Sequence, residues 1–461
     1  MNKMSRPPRR ALLATTAGVA LAGVTSPRAW GAADRPPNFV FIFCDDLGYG
    51  DLGCYGHDKI KTPVLDRMAA EGLKFTQFYS CAPVCTPSRA ALLTGRYQIR
   101  SGLTRVLFPG AKTGISDYEV TLAEALKSAG YATACVGKWH LGDQPQYLPT
   151  RHGFDRYFGI PYSNDMRPCK LLRDEQEVEN PAKLDTLTQR YTEEAVKFIA
   201  DSKGKPFFLY LPHTMPHTPL AANPKFAGRS ARGLYGDVVE EIDWSTGEIL
   251  KALKDHGVDD NTIVAFTSDN GPWLIRGEHG GSAGPLRNGK GTTFEGGVRE
   301  PCIVRWPGRI KPGRVVDRPA IMVDWFPTFV MLAGGKVPQD RIIDGCDIGP
   351  VLLGAGKRAH EEFFFYAGDT LQAHRSGDWK LRVTKPSAPA TTAAAGKAGK
   401  RARPDATTAA SKPREDPIML FNLAEDPSET TNLADKHPDV VKRLMDQMAA
   451  FEKTVPAPTT R

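Results

Sequence analysis

The chain has 461 residues, of which 41% are hydrophobic and 24% charged, and its formal net charge is +8 at pH 7. These values are ordinary for a globular protein, so they exclude a collagen-like fibre, a wholly disordered chain and a small disulfide scaffold. At about 100–200 residues per domain, the length predicts two or three domains. The eight cysteines form neither a disulfide framework nor a repeated C-x-x-C zinc pattern, and we expect most of them to be buried.

Residues 1–33 have the composition of an export signal. They contain five basic residues and no acidic residue, and their apolar stretch, 11–24, is shorter than the ~20 residues that a membrane span needs. The adjacent Arg9 and Arg10 favour a twin-arginine signal over a Sec signal. We therefore expect an exported protein, periplasmic or extracellular, without stable membrane insertion.

Residues 34–355 alternate apolar and helix-like segments. This pattern predicts an α/β domain with a large, mostly parallel mixed sheet flanked by helices. Thr121 and Glu124 have the spacing of a capping box at the start of one helix. The predicted strands cover 38–43, 131–136, 206–211 and 262–267, and the predicted helices cover 63–71, 122–129, 193–200 and 237–253.

Residues 356–461 have a different pattern of predicted elements. Short strands at 363–366 and 379–383 and a helix at 438–451 predict a smaller α+β domain. Within it, 385–415 is rich in Ala, Thr, Pro, Lys and Gly and has almost no large apolar residue. Such a segment buries too little surface to offset its ordering entropy, which predicts a disordered insertion.

Polar residues of catalytic type follow each of the four strands predicted in the larger domain. Ligands bind beyond the carboxyl ends of strands in open α/β sheets, so we expect these side chains to meet at one edge. Each short polar run by itself is typical of a turn, but several carboxylates in one place require a cation. Their oxygen donors favour Ca²⁺, or alternatively Mg²⁺, over zinc. The residues are Asp45, Asp46, Lys138, His140, His213, His217, Asp269 and Asn270.

A second motif, Cys-Thr-Pro-Ser-Arg at 85–89, stands before a predicted helix at 90–94. A helix N-terminus favours an anion and lowers the pKa of a nearby thiol. From the residues alone, Cys85 is a thiolate nucleophile, a disulfide partner of Cys81 or an inert core residue.

The 85–89 motif matches the C-x-P-S-R signature of the type I, formylglycine-dependent sulfatases. Further blocks resemble that family in the same order, and 158–165 is particularly similar to its arylsulfatase A branch. The resemblance implies an alkaline phosphatase-like fold and a sulfuric ester hydrolase that acts on a sulfated carbohydrate or an aryl sulfate. It also implies that a formylglycine-generating enzyme oxidises Cys85 during maturation. The further blocks are 44–51, 137–142, 213–217, 268–271, 289–301 and, in the C-terminal region, 377–381.

The resemblance assigns a role to each site residue. Cys85, as a formylglycine hydrate, would attack sulfur beside one divalent cation, and Arg89 would steady the hydrate. His217 would protonate the leaving alcohol, and His140 would deprotonate the second hydroxyl and so release sulfate. Ser163 would face the substrate, as would His217 and the two lysines that neutralise the sulfuryl oxygens, Lys138 and Lys290. The implied ligands of the cation are Asp45, Asp46, Cys85, Asp269 and Asn270.

The remaining histidines are less informative. We expect His213 to have a supporting role. His57 and His152 stay unassigned, and His279 and His374 are the better candidates for substrate contact.

Two other functions remain as alternatives. One is a phosphonate or phosphate monoester hydrolase of the same superfamily, and the other is a non-enzymatic, polyanion-binding exported protein. The intact set of Cys, Arg, Lys, His and carboxylate residues argues against the second.

The positive charge of the chain is concentrated in two segments. Without 1–33 the net charge falls to +3, and 385–415 carries seven basic against two acidic residues, so the net charge of the remaining residues is near −2. A nucleic-acid partner is therefore not expected.

Overall fold

Two separate β-sheets organise the part of the chain that the structure describes. This computed structural model describes residues 35–356, 360–384 and 416–455. The predicted export signal at 1–33 and the predicted insertion at 385–415 lie outside these residues. The described residues from Pro36 onward belong to one compact unit.

The larger sheet has eleven strands in the order β10-β2-β9-β8-β1-β7-β3-β4-β5-β6, with β11 beside β2. Its strands are β1 (Asn38–Cys44), β2 (Leu73–Tyr79), β3 (Ala132–Val136), β4 (Arg156–Gly159), β5 (Leu171–Arg173), β6 (Gln176–Glu179), β7 (Phe207–Pro212), β8 (Thr262–Ser268), β9 (Arg299–Arg305), β10 (Arg314–Val316) and β11 (Ala320–Ile321). The central strands β8, β1, β7, β3 and β4 are mutually parallel, whereas β9 is antiparallel to both β8 and β2. The predicted mostly parallel mixed sheet is confirmed.

Helices cover both faces of this sheet. The α-helices of the described residues are α1 (Pro63–Glu71), α2 (Cys85–Thr94), α3 (Gln98–Ser101), α4 (Leu122–Ser128), α5 (Leu187–Ser202), α6 (Leu234–Asp255), α7 (Glu295–Val298), α8 (Trp325–Leu332), α9 (Gly349–Leu352) and α10 (Pro438–Glu452), of which α10 packs on the smaller sheet. Successive side chains of β1 point to opposite faces. Phe39, Phe41 and Phe43 enter a core with α2, α4 and α8, and Val40 and Ile42 enter a second core with α1, α5 and α6. This two-sided burial explains why β1 is a continuous apolar run.

The predicted elements are present, with some changes at their ends. The capping box of Thr121 and Glu124 at the start of α4 is confirmed. The largest shift in a long helix is at α5, which begins at Leu187 rather than at residue 193. The helix predicted at 90–94 begins earlier, at Cys85, because Val84 is extended and accepts the Ser88 backbone N–H.

The smaller sheet is antiparallel, in the order β12-β13-β14-β15, and α10 packs on it. Its strands are β12 (Glu362–Ala367), β13 (Thr370–Ser376), β14 (Trp379–Val383) and β15 (Ile418–Asn422). Lys380 of β14 forms a buried ion pair with Glu295 of α7, at 2.8 Å. The predicted small C-terminal α+β region is therefore present, and this ion pair ties it to α7, which lies between β8 and β9 of the larger sheet. Among the described residues, no helix combines the length and apolar character needed to cross a membrane.

Candidate active site

The carboxyl ends of four adjacent parallel strands meet at one edge of the larger sheet. In the order β3, β7, β1 and β8, these strands are followed by the segments that begin at Gly137, His213, Asp45 and Asp269. Cys44 at the end of β1 pairs in register with Ser268 at the end of β8. The structure therefore brings together, from four distant parts of the sequence, the polar residues singled out above.

Buried carboxylates lie at the centre of this edge. Asp45, Asp269 and Cys85 each offer a ligand atom, and these atoms lie within 4.8 Å of one another. The backbone N–H of Asp46 donates to Asp269 Oδ1 at 3.1 Å. Asn270 Nδ2 donates to Asp46 Oδ1 at 2.8 Å. The four predicted oxygen ligands thus form one connected group.

This group has oxygen atoms available as ligands, and its negative charge suits a hard cation. The oxygens Asp45 Oδ1 and Asn270 Oδ1 are buried and accept no hydrogen bond. Burial and the charge of Asp45 raise the pKa of Asp269 to about 7. Burial also acts to raise the pKa of Asp45, but Lys138 and the other nearby cationic groups hold it well below its usual range. A divalent cation among these oxygens would offset the repulsion between the carboxylates, so the residues fit one.

Cys85 begins α2 and is almost completely buried, at 2% exposure. Neither Cys85 nor Cys81 is in a disulfide, so that alternative is wrong. The expected lowering of the thiol pKa is also wrong. Burial raises the pKa of Cys85, and it outweighs the opposing effects of Lys138 and Lys290. As an unmodified thiol, Cys85 is a poor nucleophile here.

Arg89 lies one turn after Cys85 on α2, so the two side chains share a helix face. The Arg89 guanidinium donates from Nε and Nη2 to Asp269 Oδ2, at 3.0 and 2.8 Å. Its Nη1 donates to the Lys138 carbonyl at 3.0 Å. These bonds fix a fully buried positive charge between the carboxylates and α2.

Two lysines flank the carboxylates from different loops. Lys138 Nζ contacts the Asp45 carboxylate and lies 3.2 Å from Ser163 Oγ. Gly137 precedes it with φ of 137°, and a Cβ there would lie 1.9 Å from the Pro212 carbonyl oxygen, so only glycine fits. Lys290 Nζ lies 2.7 Å from Asp46 Oδ1. Burial lowers the Lys290 pKa, but Asp46, Cys85 and Asp45 together outweigh burial, so the net shift of the pKa is upward.

His140 is held in one tautomer, with one ring nitrogen free of hydrogen bonds. Its Nε2 lies 3.0 Å from the Leu107 carbonyl oxygen, which can only accept, so Nε2 carries the hydrogen. The other ring nitrogen, Nδ1, is buried and has no hydrogen-bond partner. Burial, aided by Lys138 and Arg89, holds the His140 pKa well below its usual value.

His217 is held at one ring nitrogen. Its Nδ1 faces the carbonyl oxygen of Thr218 at 2.6 Å and Asn164 Oδ1 at 3.1 Å, so Nδ1 carries a hydrogen. Nε2 faces the carboxylate of Asp46 at 3.6 Å. Burial lowers the His217 pKa, and Asp46 opposes that change. Ser163 Oγ lies between Lys138 and His217, which puts this predicted residue inside the site.

Two residues of the site were not found from the sequence. Asn164 positions His217 through its amide, which also donates to the His217 carbonyl at 3.0 Å. Trp273 follows the Asp269 segment and lies partly exposed, with its ring 5.2 Å from the His217 ring. Lys290 Nζ lies 4.4 Å from the centroid of the Trp273 ring. The Trp273 indole therefore forms an aromatic wall beside His217 and Lys290.

The other histidines differ in position. Both ring nitrogens of His213 are buried without a partner, and burial lowers its pKa to about 3. His374 as a substrate contact is wrong, because it is fully buried and stacks on Phe364 in the smaller sheet at 4.5 Å. His279 is exposed on the loop that carries Trp273. His57 Nδ1 accepts two local backbone N–H groups, and His152 is buried against Trp139.

Sequence comparisons identify the relatives of this chain. The family model described as Sulfatase matches residues 37–335, and the model described as C-terminal region of aryl-sulfatase matches 358–460. Arylsulfatase A of Homo sapiens is 41% identical over 95% of this chain and 89% of its own length. N-acetylgalactosamine-6-sulfatase of Homo sapiens is 48% identical over 76% of this chain and 72% of its own length.

Solved structures agree with these relatives. The structure of Ps i-CgsB in complex with k-i-k-neocarrahexaose has a TM-score of 0.77 and 29% identity, covering 92% of this chain and 94% of its own. The phosphonate monoester hydrolase SpPMH from Silicibacter pomeroyi has a TM-score of 0.66, but at 18% identity it shares the fold alone. The family models and the close relatives show that this chain belongs to the sulfatase family and is a sulfuric ester hydrolase.

Proposed function

We propose that this sulfatase hydrolyses sulfate monoesters of carbohydrates, with Cys85 converted to formylglycine and one divalent cation, Ca²⁺, in the site. The observation that carries the proposal is the buried cluster of Asp45, Cys85 and Asp269, with ligand atoms within 4.8 Å of one another. Arg89, Lys138 and Lys290 surround this cluster with positive charge, as an anionic sulfate ester requires.

The cation would be held by Asp45, Asp46, Asp269 and Asn270. When bound, it supplies positive charge and Lewis acidity to the sulfate group. Ca²⁺ accepts many protein oxygens in a flexible geometry, whereas Mg²⁺ keeps several waters, so an oxygen-rich protein cluster favours Ca²⁺. The unpaired oxygens of Asp45 and Asn270 are available as ligands.

The formylglycine hydrate supplies both an attacking oxygen and a second hydroxyl, which neither serine nor cysteine has at this position. Residue 85 is buried at the start of α2, which fixes its position beside Asp45 and Asp269. Arg89, on the same helix face and fixed by Asp269, holds its positive charge beside residue 85. Lys138 and Lys290 contribute further positive charge from two other loops, beside Asp45 and Asp46.

Two histidines divide the proton transfers. His140, with Nε2–H bonded to Leu107 and a free Nδ1, takes the proton whose removal releases sulfate. His217, whose Nε2 faces the Asp46 carboxylate, donates a proton to the leaving alcohol. An anionic substrate beside His217 raises the pKa of its ring and so favours the protonated form.

The carbohydrate substrate is supported by the aromatic wall and by the relatives. Trp273 offers a partly exposed ring on which the leaving sugar can pack. Sugars occur in the printed names of relatives, as in N-acetylgalactosamine-6-sulfatase and the complex with k-i-k-neocarrahexaose.

Mass spectrometry of the tryptic peptide 75–89 tests the mechanism. We expect an aldehyde at residue 85 when a formylglycine-generating enzyme is present, and removal of the cation by a chelator should abolish sulfatase activity until Ca²⁺ is restored. An active enzyme that carries only the thiol at residue 85 would refute the proposal.

Parallel rate measurements on an aryl sulfate and an aryl phosphonate distinguish a sulfatase from a phosphonate monoester hydrolase. A large excess of phosphonate activity would overturn the proposed sulfatase activity.

We also propose export by the twin-arginine route, from Arg9 and Arg10 in the basic segment before residues 11–24. Replacing both arginines with lysine should keep the full-length protein in the cytoplasm. Unchanged export of the double variant would favour a Sec signal.

A further inference from the structure

Three residues outside the active site form a cysteine–histidine–aspartate arrangement. Cys346 lies in the loop after α8, and its Sγ is 3.7 Å from His360 Nδ1. The opposite ring nitrogen, His360 Nε2, contacts the carboxylate of Asp324. The proposed mechanism assigns no role to this group.

Asp324 fixes the orientation of the group. Its side chain is fully buried, and its oxygens accept backbone N–H groups from Ile321 and Cys346, each at 2.9 Å. The His360 ring is largely buried and packs on Phe363, with ring centroids 5.3 Å apart. Because Nε2 points to Asp324, Nδ1 is the nitrogen that faces the sulfur.

The charge of Asp324 keeps His360 protonated at neutral pH. Burial lowers the His360 pKa, but the interactions with Asp324 and Cys346 together outweigh burial and raise it to about 10. An imidazolium that faces a cysteine sulfur stabilises the thiolate, which is the reactive form of cysteine.

Among the eight cysteines, Cys346 is distinguished by a histidine ring nitrogen beside its sulfur. All eight are free, and six of them are buried. Cys54 is also partly exposed, but burial and the neighbouring Asp66 raise its pKa to about 12. Cys54 is therefore a matched internal control, with similar access and the opposite electrostatic environment.

We propose that Cys346 is a reactive thiol that forms mixed disulfides with small disulfide compounds. The Cys346 thiolate attacks one sulfur of the disulfide, a new S–S bond forms, and the original S–S bond breaks. The leaving thiolate takes a proton from solvent and departs as a thiol, and His360 stays protonated beside Asp324. The incoming disulfide is the only oxidant that this exchange needs.

Oxidised glutathione is the probe, and the full-length protein is the sample. After timed incubation and digestion, mass spectrometry should show Cys346 modified at least about tenfold faster than Cys54, and His360→Gln should slow the modification at Cys346 by about tenfold. Equal rates at the two cysteines, or an unchanged rate in His360→Gln, would overturn the proposal.

A second comparison does not depend on the folding of the variant. Cys346 in the folded wild-type protein should react faster than Cys346 in the same protein unfolded by urea, because only the folded chain places His360 beside the sulfur. A faster reaction in urea would show that the fold shields the thiol and would overturn the proposal.

Discussion

His217 is anchored at Nδ1, and its Nε2 faces the Asp46 carboxylate at 3.6 Å without a hydrogen bond, which suits a proton donor to the leaving group. We expect His217→Gln to lower kcat on a carbohydrate sulfate by about 10²–10⁴-fold, because a poor leaving alkoxide needs the proton. The loss on 4-nitrophenyl sulfate should be much smaller, since nitrophenolate leaves without protonation. Steady-state kinetics on both substrates measure the difference, with the exposed His279→Gln as a control. Equal losses on the two substrates would contradict the role of His217.

Trp273 is the residue that we propose packs against the leaving group, because its ring lies beside His217 and Lys290. Trp273→Ala should raise KM for a carbohydrate sulfate by about 2- to 10-fold, the range expected for loss of one aromatic packing contact. Trp273→Phe should retain most of the affinity, because it keeps a ring beside His217 and Lys290. Ile275→Ala, at a residue 80% exposed on the same loop, is the matched control. An unchanged KM in Trp273→Ala would place the sugar elsewhere.

Sequence reasoning finds residues whose position follows from a buried strand, and misses those placed by contacts between loops. Asp45 and Asp269 could be predicted because each follows a continuous apolar strand. Asn164 could not, because its partner His217 is 53 residues away and the contact depends on two irregular loops. Asp46 and His140 have positive backbone φ angles of 67° and 61°. Such angles are unusual for residues other than glycine, and no sequence pattern predicts them reliably.

At the scale of elements, the central strands and long helices were predictable and the edge strands were not. β1 and β8 are long, apolar and covered on both faces, so their composition identifies them. β5 and β10 have three residues each, too few for a periodic pattern. The predicted start of α2 is too late. Pro and Ser at 87–88 are typical of the residues that begin a helix, but in the structure the helix begins at Cys85 and Pro87 lies within its first turn.

The buried ion pairs of Lys380 give a test of how β14 is held against α7. Lys380 Nζ lies 2.8 Å from Glu295 and 3.0 Å from Glu429, and all three side chains are fully buried. Lys380→Met should lower the free energy of unfolding by about 3–5 kcal/mol, because it leaves two buried carboxylates without this partner. Lys442→Met, which removes an exposed pair with Asp446, should cost under about 1 kcal/mol. Urea unfolding curves compare the two variants, and similar costs would show that the buried pairs do not hold β14.

At the scale of the whole molecule, the charge of +8 is concentrated in two segments. Residues 1–33 carry five basic residues, and 385–415 has an excess of five, so the rest of the chain is near −2. The basic residues of 385–415 give this chain a concentrated positive charge that attracts a sulfated, acidic polymer over distances of about a Debye length, roughly 10 Å at 0.1 M salt.

Deletion of 385–415 should therefore raise KM for a polymeric carbohydrate sulfate more than for a small aryl sulfate, because only the polymer is long enough to engage both this segment and the active site. The difference should shrink as salt is added, since screening weakens attraction between exposed charges. A variant with the seven basic residues of 385–415 changed to glutamine separates charge from length, and it should behave like the deletion. Equal changes of KM on the two substrates, or a salt-independent difference, would show that the segment does not tether substrate electrostatically.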